Sequence, residues 1–225
     1  MPNWVYNAIN IQGEPDQLQR LKSQLNQPFT TYSDSWNAYS GKMEQEATEF
    51  KNPVFAFWNI IKPTNLEAYF GQPLLNESND SSESDHWKDW NERNWGTMWD
   101  VANADQDSSL NDTEMEDNGK AIIYSFSTAW SVPIPALVNL SSQYPEILIQ
   151  LFYREETGGG GEAQIINGKV VREFTFDSQC PECDEVNCME DCEWGCGLIC
   201  NKCFSLSEAD IDAVEECEIH SEYLE

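Results

Sequence analysis

Two cysteine pairs, Cys180-Pro181-Glu182-Cys183 and Cys200-Asn201-Lys202-Cys203, carry the clearest chemistry in this sequence. A Cys-x2-Cys turn lets two thiolates reach one metal ion. Two such turns, here 16 residues apart, complete a tetrahedral all-sulfur zinc site. The spacing predicts one zinc ion held this way. Four thiolates leave no open position for water, so this zinc would hold a fold rather than catalyse. It would supply folding energy that a segment of about 50 residues cannot draw from its own core. Four further cysteines lie nearby, Cys188, Cys192, Cys196 and Cys217, and His220 follows Cys217 by three. These five can hold a second zinc, Cys196 can replace a ligand of the first, or the cluster can carry iron and sulfur. Cys188, Cys192 and Cys196 recur every four residues, so a helix there would stack them on one face. Failing these roles, each is a buried thiol. A reducing cytoplasm disfavours disulfides.

No other constellation competes. There is no Ser-His-Asp arrangement, and His86 is the one histidine before residue 173. Gly158 to Gly161 lacks a P-loop Lys and runs straight into Glu162, so it reads as a flexible turn. Acid pairs arise by chance among 40 Asp and Glu. We therefore expect no enzyme. The tryptophans read mainly as core: Trp4, Trp58, Trp95, Trp99 and Trp130 are expected against a sheet. Trp36, Trp87 and Trp90 are the candidates for exposed anchors to a partner.

The cysteines must be positioned by something, and charge marks where that module begins. The chain has 225 residues and a formal net charge of -28. Residues 1–172 hold 24 acids and 11 bases, whereas residues 173–225 hold 16 acids and Lys202. All eight cysteines fall in that second stretch. This predicts a domain over 1–176 and an acidic, cysteine-rich, zinc-ribbon-like module over 177–225. A second acidic stretch, Glu77 to Asp117, holds 13 acids. Its first part, 76–85, is polar and of low complexity, and is expected as a mobile loop. Such a charge opposes binding to nucleic acid, whose affinity comes largely from Lys and Arg replacing counterions. It opposes an anionic membrane surface equally. No apolar run reaches the roughly 18 residues of a membrane span. No basic segment followed by an apolar one opens the chain. A soluble, cytoplasmic protein is expected.

The pattern along 1–176 suggests alternating strands and helices. Trp4 to Gly13 reads as a strand, with Val5, Ile9 and Ile11 among polar neighbours. Glu14-Pro15-Asp16 opens a helix, because Pro suits the first turn and acids suit the N-terminal dipole. Leu18, Leu21 and Leu25 then share one face. Residues 28–51 show no period and read as loop with a short helix. Pro53 to Ile61 reads as an aromatic strand, and Asn65 to Phe70 as one or two helical turns. A strand over Asn94–Ala104 is expected to pair with one over Ala121–Ala129. Pro133-Ile134-Pro135 opens a helix to about Gln143, with Leu137 and Leu140 inward. Ile147 to Tyr153 is a central strand. Asn167-Gly168 between apolar pairs predicts a two-residue hairpin. The order predicts an α+β fold: a ferredoxin-like antiparallel sheet with helices on one face.

The same residues form ordered blocks. Met1-Pro2-Asn3-Trp4, Asn7, and Ile9-x-Ile11-x-Gly13 open the series. Phe55-x-Phe57-x-x-Ile60-x-x-Pro63 and Trp87-x-x-Trp90 follow. Then come Asn94-Trp95-Gly96-Thr97-x-Trp99-Asp100, Thr128-Ala129-Trp130-Ser131-x-Pro133-x-Pro135 and Tyr153-x-Glu155. Over residues 1–172 the chain resembles the YubB ferredoxin-like domain family. Two positions depart from it: Val5 stands where many relatives have Cys, and Met98 where a basic residue is common. The resemblance implies an accessory protein of a phage or plasmid in a bacterium, with no enzyme activity. Joined to the charge, it suggests an acidic protein that inhibits a host defence or nucleic-acid-binding protein. Its negative surface would mimic DNA toward a basic groove. The alternatives are a nucleic-acid-binding accessory protein and a phage structural or assembly factor.

Overall fold

Strict alternation makes the first strand. In β1 (Trp4–Gln12), Val5, Asn7, Ile9 and Ile11 are buried, while Tyr6 and Gln12 point outward. Helix α1 (Pro15–Leu25) follows, with Pro in its first turn and Leu18, Leu21 and Leu25 buried. The chain then forms a hairpin, β2 (Phe29–Asn37) with β3 (Lys42–Phe50), as a separate two-stranded sheet. A 3-10 turn at Phe57–Asn59, α2 (Leu66–Phe70) and α3 (Trp87–Trp95) come next. The remaining elements of the large sheet are β4 (Glu114–Asp117), β5 (Ala121–Ala129), α4 (Ile134–Gln143), β6 (Leu148–Glu155), β7 (Gly160–Ile166) and β8 (Lys169–Phe176). A last hairpin pairs β9 (Met189–Asp191) with β10 (Leu198–Cys200).

This is a computed structural model. It describes residues 2–37, 42–71, 86–102, 113–156, 158–176, 189–191 and 198–200. The chain divides into two units, residues 1–156 with 162–174, and residues 157–161 with 175–225.

The large sheet has the order β4-β5-β1-β6-β7-β8. β1 lies between β5 and β6, antiparallel to both. The path β1-α1-β4-β5-α4-β6 with order β4-β5-β1-β6 is the ferredoxin-like arrangement. The β7–β8 hairpin extends the sheet beyond it. That hairpin turns through Asn167 and Gly168, both at positive φ (48° and 69°), as a two-residue turn of this kind requires. One face of the sheet is dry. Ile9, Ile11, Ile122, Tyr124, Ile149 and Leu151 share a single core with leucines of α1 and α4. The opposite face carries Tyr6, Gln150 and Phe152 and is open.

The segment between α1 and β4 departs most from the sequence expectations. Residues 28–51 form the β2–β3 hairpin, in register from Phe29↔Phe50 to Asn37↔Lys42. Its polar run shows no apolar alternation; main-chain pairing and Thr, Tyr and Trp residues suit a strand without it. Pro53 to Ile61 is not a strand. Phe55, Ala56, Phe57 and Trp58 are all buried, so the run fills core on every side, and an all-apolar run does not distinguish strand from other buried structure. Trp87 to Trp95 is helical, and the strand expected over Asn94–Ala104 does not form in its described part, residues 94–102. The short strand β4 pairs with β5 in its place. Gly160 and Gly161 are buried residues of β7, not a loose turn. The loop expected over 76–85 lies outside the described residues.

Aromatic contacts join this segment to the sheet. Phe29 stacks on Phe50 at 4.5 Å and on Trp58 at 6.0 Å. Trp58 meets Tyr69, Tyr69 meets Trp90, and Trp90 meets Trp95, all edge to face. Phe57 closes the series on Phe126 of β5 at 5.8 Å. The preference of rings for edge contact lets this chain of rings pack densely without a regular element.

Candidate functional site

The sequence blocks around residues 96–100 and 128–131 meet in space. Helix α3 stops at Gly96, which takes φ +81° and lets its N–H return to the Asn91 and Glu92 carbonyls. Beyond it, Thr97 Oγ1 donates to the Ala129 carbonyl at 3.0 Å, and Ser131 Oγ donates to the Gly96 carbonyl at 2.5 Å. Thr128 Oγ1 donates to the Ser131 carbonyl, and buried Asn7 donates from Nδ2 to Thr128 Oγ1 at 2.9 Å. The end of β5 is thus tied to the end of α3 and to β1.

Two tryptophans stand on this framework with their rings outward. Trp130 follows β5 at φ +65°, a left-handed conformation that a bulky side chain rarely adopts, and its N–H donates to the Asn3 carbonyl at 2.8 Å. Trp99 follows Met98, whose carbonyl accepts from Asn91 Nδ2. Trp99 and Trp130 are 42% and 47% exposed, and their rings meet edge to face at 5.0 Å. Trp4 of β1 lies 6.2 Å from Trp99. Tyr6, two residues on, and Phe152, across from Ala8, continue aromatic surface along the open face at 54% and 46% exposed. The sequence expectation is reversed at three positions. Trp99 and Trp130 are surface, and Trp90 is core at 8% exposed. In α3, Asn91 and Trp95 fall one turn apart and are buried together with Trp90, whereas Trp99 and Trp130 sit past the ends of their elements, where no periodicity assigns a face. Trp58 and Trp95 are buried as expected, Trp4 and Trp87 are half-buried, and the side chain of Trp36 lies outside the described residues.

Asp100 fixes the backbone beside Trp99. Its Oδ1 accepts from the N–H groups of Phe57, Val101 and Ala102 at 2.9, 2.7 and 3.2 Å, and its Oδ2 from Trp58 at 2.8 Å. Burial raises its carboxyl above the usual carboxylate range, while the four N–H groups pull it back. Nearby, burial raises the Tyr69 phenol, which donates to Asn91 Oδ1 at 2.8 Å. Both side chains are held in place by hydrogen bonds to the fold.

The acidic strand β4 borders the same sheet. Glu114, Glu116 and Asp117 are exposed along it. Asp117 accepts from Lys22 Nζ at 2.8 Å, and this holds its carboxyl below the usual range. Charge on an edge strand also discourages pairing with other sheets.

Of the cysteines, Cys200 ends β10, with its backbone level with Met189 across the hairpin. Cys180, Cys183, Cys188, Cys192, Cys196, Cys203, Cys217 and His220 lie outside the described residues. Among the described residues no three His, Cys, Asp or Glu side chains group to hold a metal.

No curated protein matches the sequence. Among solved structures, the chain is similar to protein api92 from Yersinia pseudotuberculosis, with a TM-score of 0.53 and 10% identity. That match covers 80% of this chain and all of the other, and at this identity it speaks to the fold. Residues 98–193 match the family model for the ferredoxin-like domain in Api92-like protein, and the sheet described above is of that ferredoxin-like, antiparallel α+β kind.

Proposed function

We propose that this chain is an acidic interaction protein of a phage or plasmid. It binds and inhibits a host defence or nucleic-acid-binding protein by presenting negative charge to a basic groove, as a DNA mimic does. The observation that carries this reading is the net charge of -28, continued on the described surface by Glu114, Glu116 and Asp117 of an edge strand. Such a field steers association with a basic partner and screens steeply with salt. The role is non-enzymatic and cytoplasmic, within the host cell, and the placement among YubB-type proteins is part of the same reading. No helix among the described residues is long and apolar enough to cross a membrane.

The test is capture of a partner by the tagged full chain from nuclease-treated bacterial lysate. One stoichiometric protein with a basic nucleic-acid groove is expected, released by moderate salt and held less well by the Glu114→Gln/Glu116→Gln variant. Binding indifferent to salt and to those substitutions would remove mimicry. A second reading, nucleic-acid binding, draws on Tyr6 and Phe152 on the open sheet face, since exposed rings on such sheets can stack bases. A gel shift with single-stranded oligonucleotides at low salt separates the two.

The same proposal includes zinc in the cysteine-rich module. Cys180, Cys183, Cys200 and Cys203 would hold the first ion, and Cys188, Cys192, Cys196, Cys217 and His220 are the residues for a second. Protein purified under reducing conditions is expected to contain about one to two zinc ions per chain. Cys180→Ser/Cys183→Ser is expected to lose one of them. Metal-free protein with the C-terminal module intact to proteolysis would eliminate the site.

A further inference from the structure

We propose that Trp99 and Trp130, with Trp4 behind them, form a docking surface for arginine side chains of a cationic segment in the partner protein. This role rests on the interaction reading above and names the contact through which it works. Tryptophan is highly buried on average, yet these two rings are nearly half exposed and touch each other. Trp130 is also held at φ +65° by a framework of hydrogen bonds from Thr97, Thr128 and Ser131 and by its own bond to Asn3. A bulky residue kept in a costly backbone conformation, with its ring in water, points to use of that ring.

The chemistry of the occupant follows from what surrounds the rings. The face of an indole attracts a guanidinium more strongly than any other side-chain face does. The Glu156 carboxylate accepts from the Trp4 N–H at 3.1 Å, and the Glu156 N–H donates to the Trp4 carbonyl at 2.9 Å, so an acid is fixed at this end of the sheet. Glu155 pairs with Val5 next to it. On the same face, Arg172 pairs with Glu162 in the β7–β8 hairpin, and Arg154 stands opposite Tyr6. Arg154 stands further along β1 than Trp4, so an incoming guanidinium is directed to the end where Glu156 lies. The charge of -28 supplies the long-range attraction, and the rings supply a short-range contact that salt screens less. Nucleic acid, the other user of exposed rings, would bring its phosphates to this acidic rim.

The probe is the peptide Gly-Arg-Gly-Arg-Gly, titrated into the nitrogen-labelled full chain while the indole N–H resonances are followed by NMR. The Trp99 and Trp130 signals are expected to shift together and saturably, and the citrulline peptide, neutral but alike in shape, is expected to leave them in place. Trp99→Ala/Trp130→Ala is expected to weaken the peptide about tenfold. Trp130→Gly provides the second variant: it removes the ring while relieving the backbone, so it should fold and still lose the response. Shifts elsewhere, equal response to citrulline, or unchanged affinity in Trp130→Gly would each overturn the assignment. So would a thymidine oligonucleotide moving the same two signals in preference to the peptide. Partner capture separates this failure from failure of the functional reading. A partner lost by Glu114→Gln/Glu116→Gln but kept by the tryptophan variants would leave the interaction role standing and remove this docking surface.

Discussion

Asp100→Ala is expected to destabilise the N-terminal domain by about 3–5 kcal/mol, as measured by chemical denaturation. The physical reason is the number of donors on one carboxylate. Four backbone N–H groups, from Phe57, Trp58, Val101 and Ala102, converge on it within 2.7–3.2 Å. Ala would leave these donors buried, with the side chain's acceptors gone. Each buried and unpaired donor costs about 1–3 kcal/mol, partly relieved by local movement. Against a total stability of about 5–15 kcal/mol this is a large share. Asp100→Asn tests the mechanism. An amide oxygen in the Oδ1 position keeps Phe57, Val101 and Ala102, while the amide nitrogen then faces the Trp58 N–H, donor against donor. The expected cost is intermediate, about 1–3 kcal/mol. Equal stability of the wild type and Asp100→Ala would show that water or chain movement satisfies the donors, and Asp100 would not be the clasp described.

Asp100 also shows where sequence reasoning reaches and where it stops. The strands and helices of the ferredoxin-like sheet, β4 apart, are legible because each carries its own local signal. Val5, Ile9 and Ile11 alternate; Leu18, Leu21 and Leu25 recur on one helix face; Asn167-Gly168 demands positive φ. Each of these signals is local. The described residues between Pro53 and Ala102, the short helix α2 apart, have none of that kind. Their order comes from ring-on-ring packing and from a carboxylate reaching back 43 residues to Phe57, interactions that exist only once the chain has folded. An aromatic run therefore reads as strand when it is irregular core.

The cysteine spacing of the proposed zinc site stands out in the sequence because a bound metal would impose its own geometry on it. Trp99 and Trp130 do not, since nothing in a list of nine tryptophans distinguishes a ring in water from a ring in the core. A signal was present nonetheless. Trp130 sits between the end of an alternating strand and Ser131-Val132-Pro133, and Trp99 sits three residues past a helix-ending glycine. A large apolar residue at such a junction belongs to no face, so its exposure is set by the turn it occupies.

Gly96 is the turn that sets it, and Gly96→Ala is expected to cost about 2–4 kcal/mol in denaturation experiments. Two separate effects add. At φ +81° a Cβ brings a conformational cost of about 1 kcal/mol. The new atom would also overlap the Pro135 ring and stand 2.8 Å from the Val132 carbonyl oxygen, within a stretch that cannot yield easily because Thr97 and Ser131 bond across it. Overpacking of this type costs about 1–3 kcal/mol. Gly119→Ala isolates the first effect. Gly119 has φ +79° and nothing within 4 Å of its Cβ direction, so it carries the conformational cost alone. The steric contribution is the difference between the two variants. If they lose equal stability, the contact between the end of α3 and the start of α4 is soft. If Gly96→Ala loses more, the junction is rigid, and the Ser131 bond to the Gly96 carbonyl should transmit the strain to Trp130, shifting its indole resonance in a protein that is still folded. That coupling ties the stability of the fold to the presentation of the ring, because the turn that ends α3 also fixes where the exposed tryptophans stand.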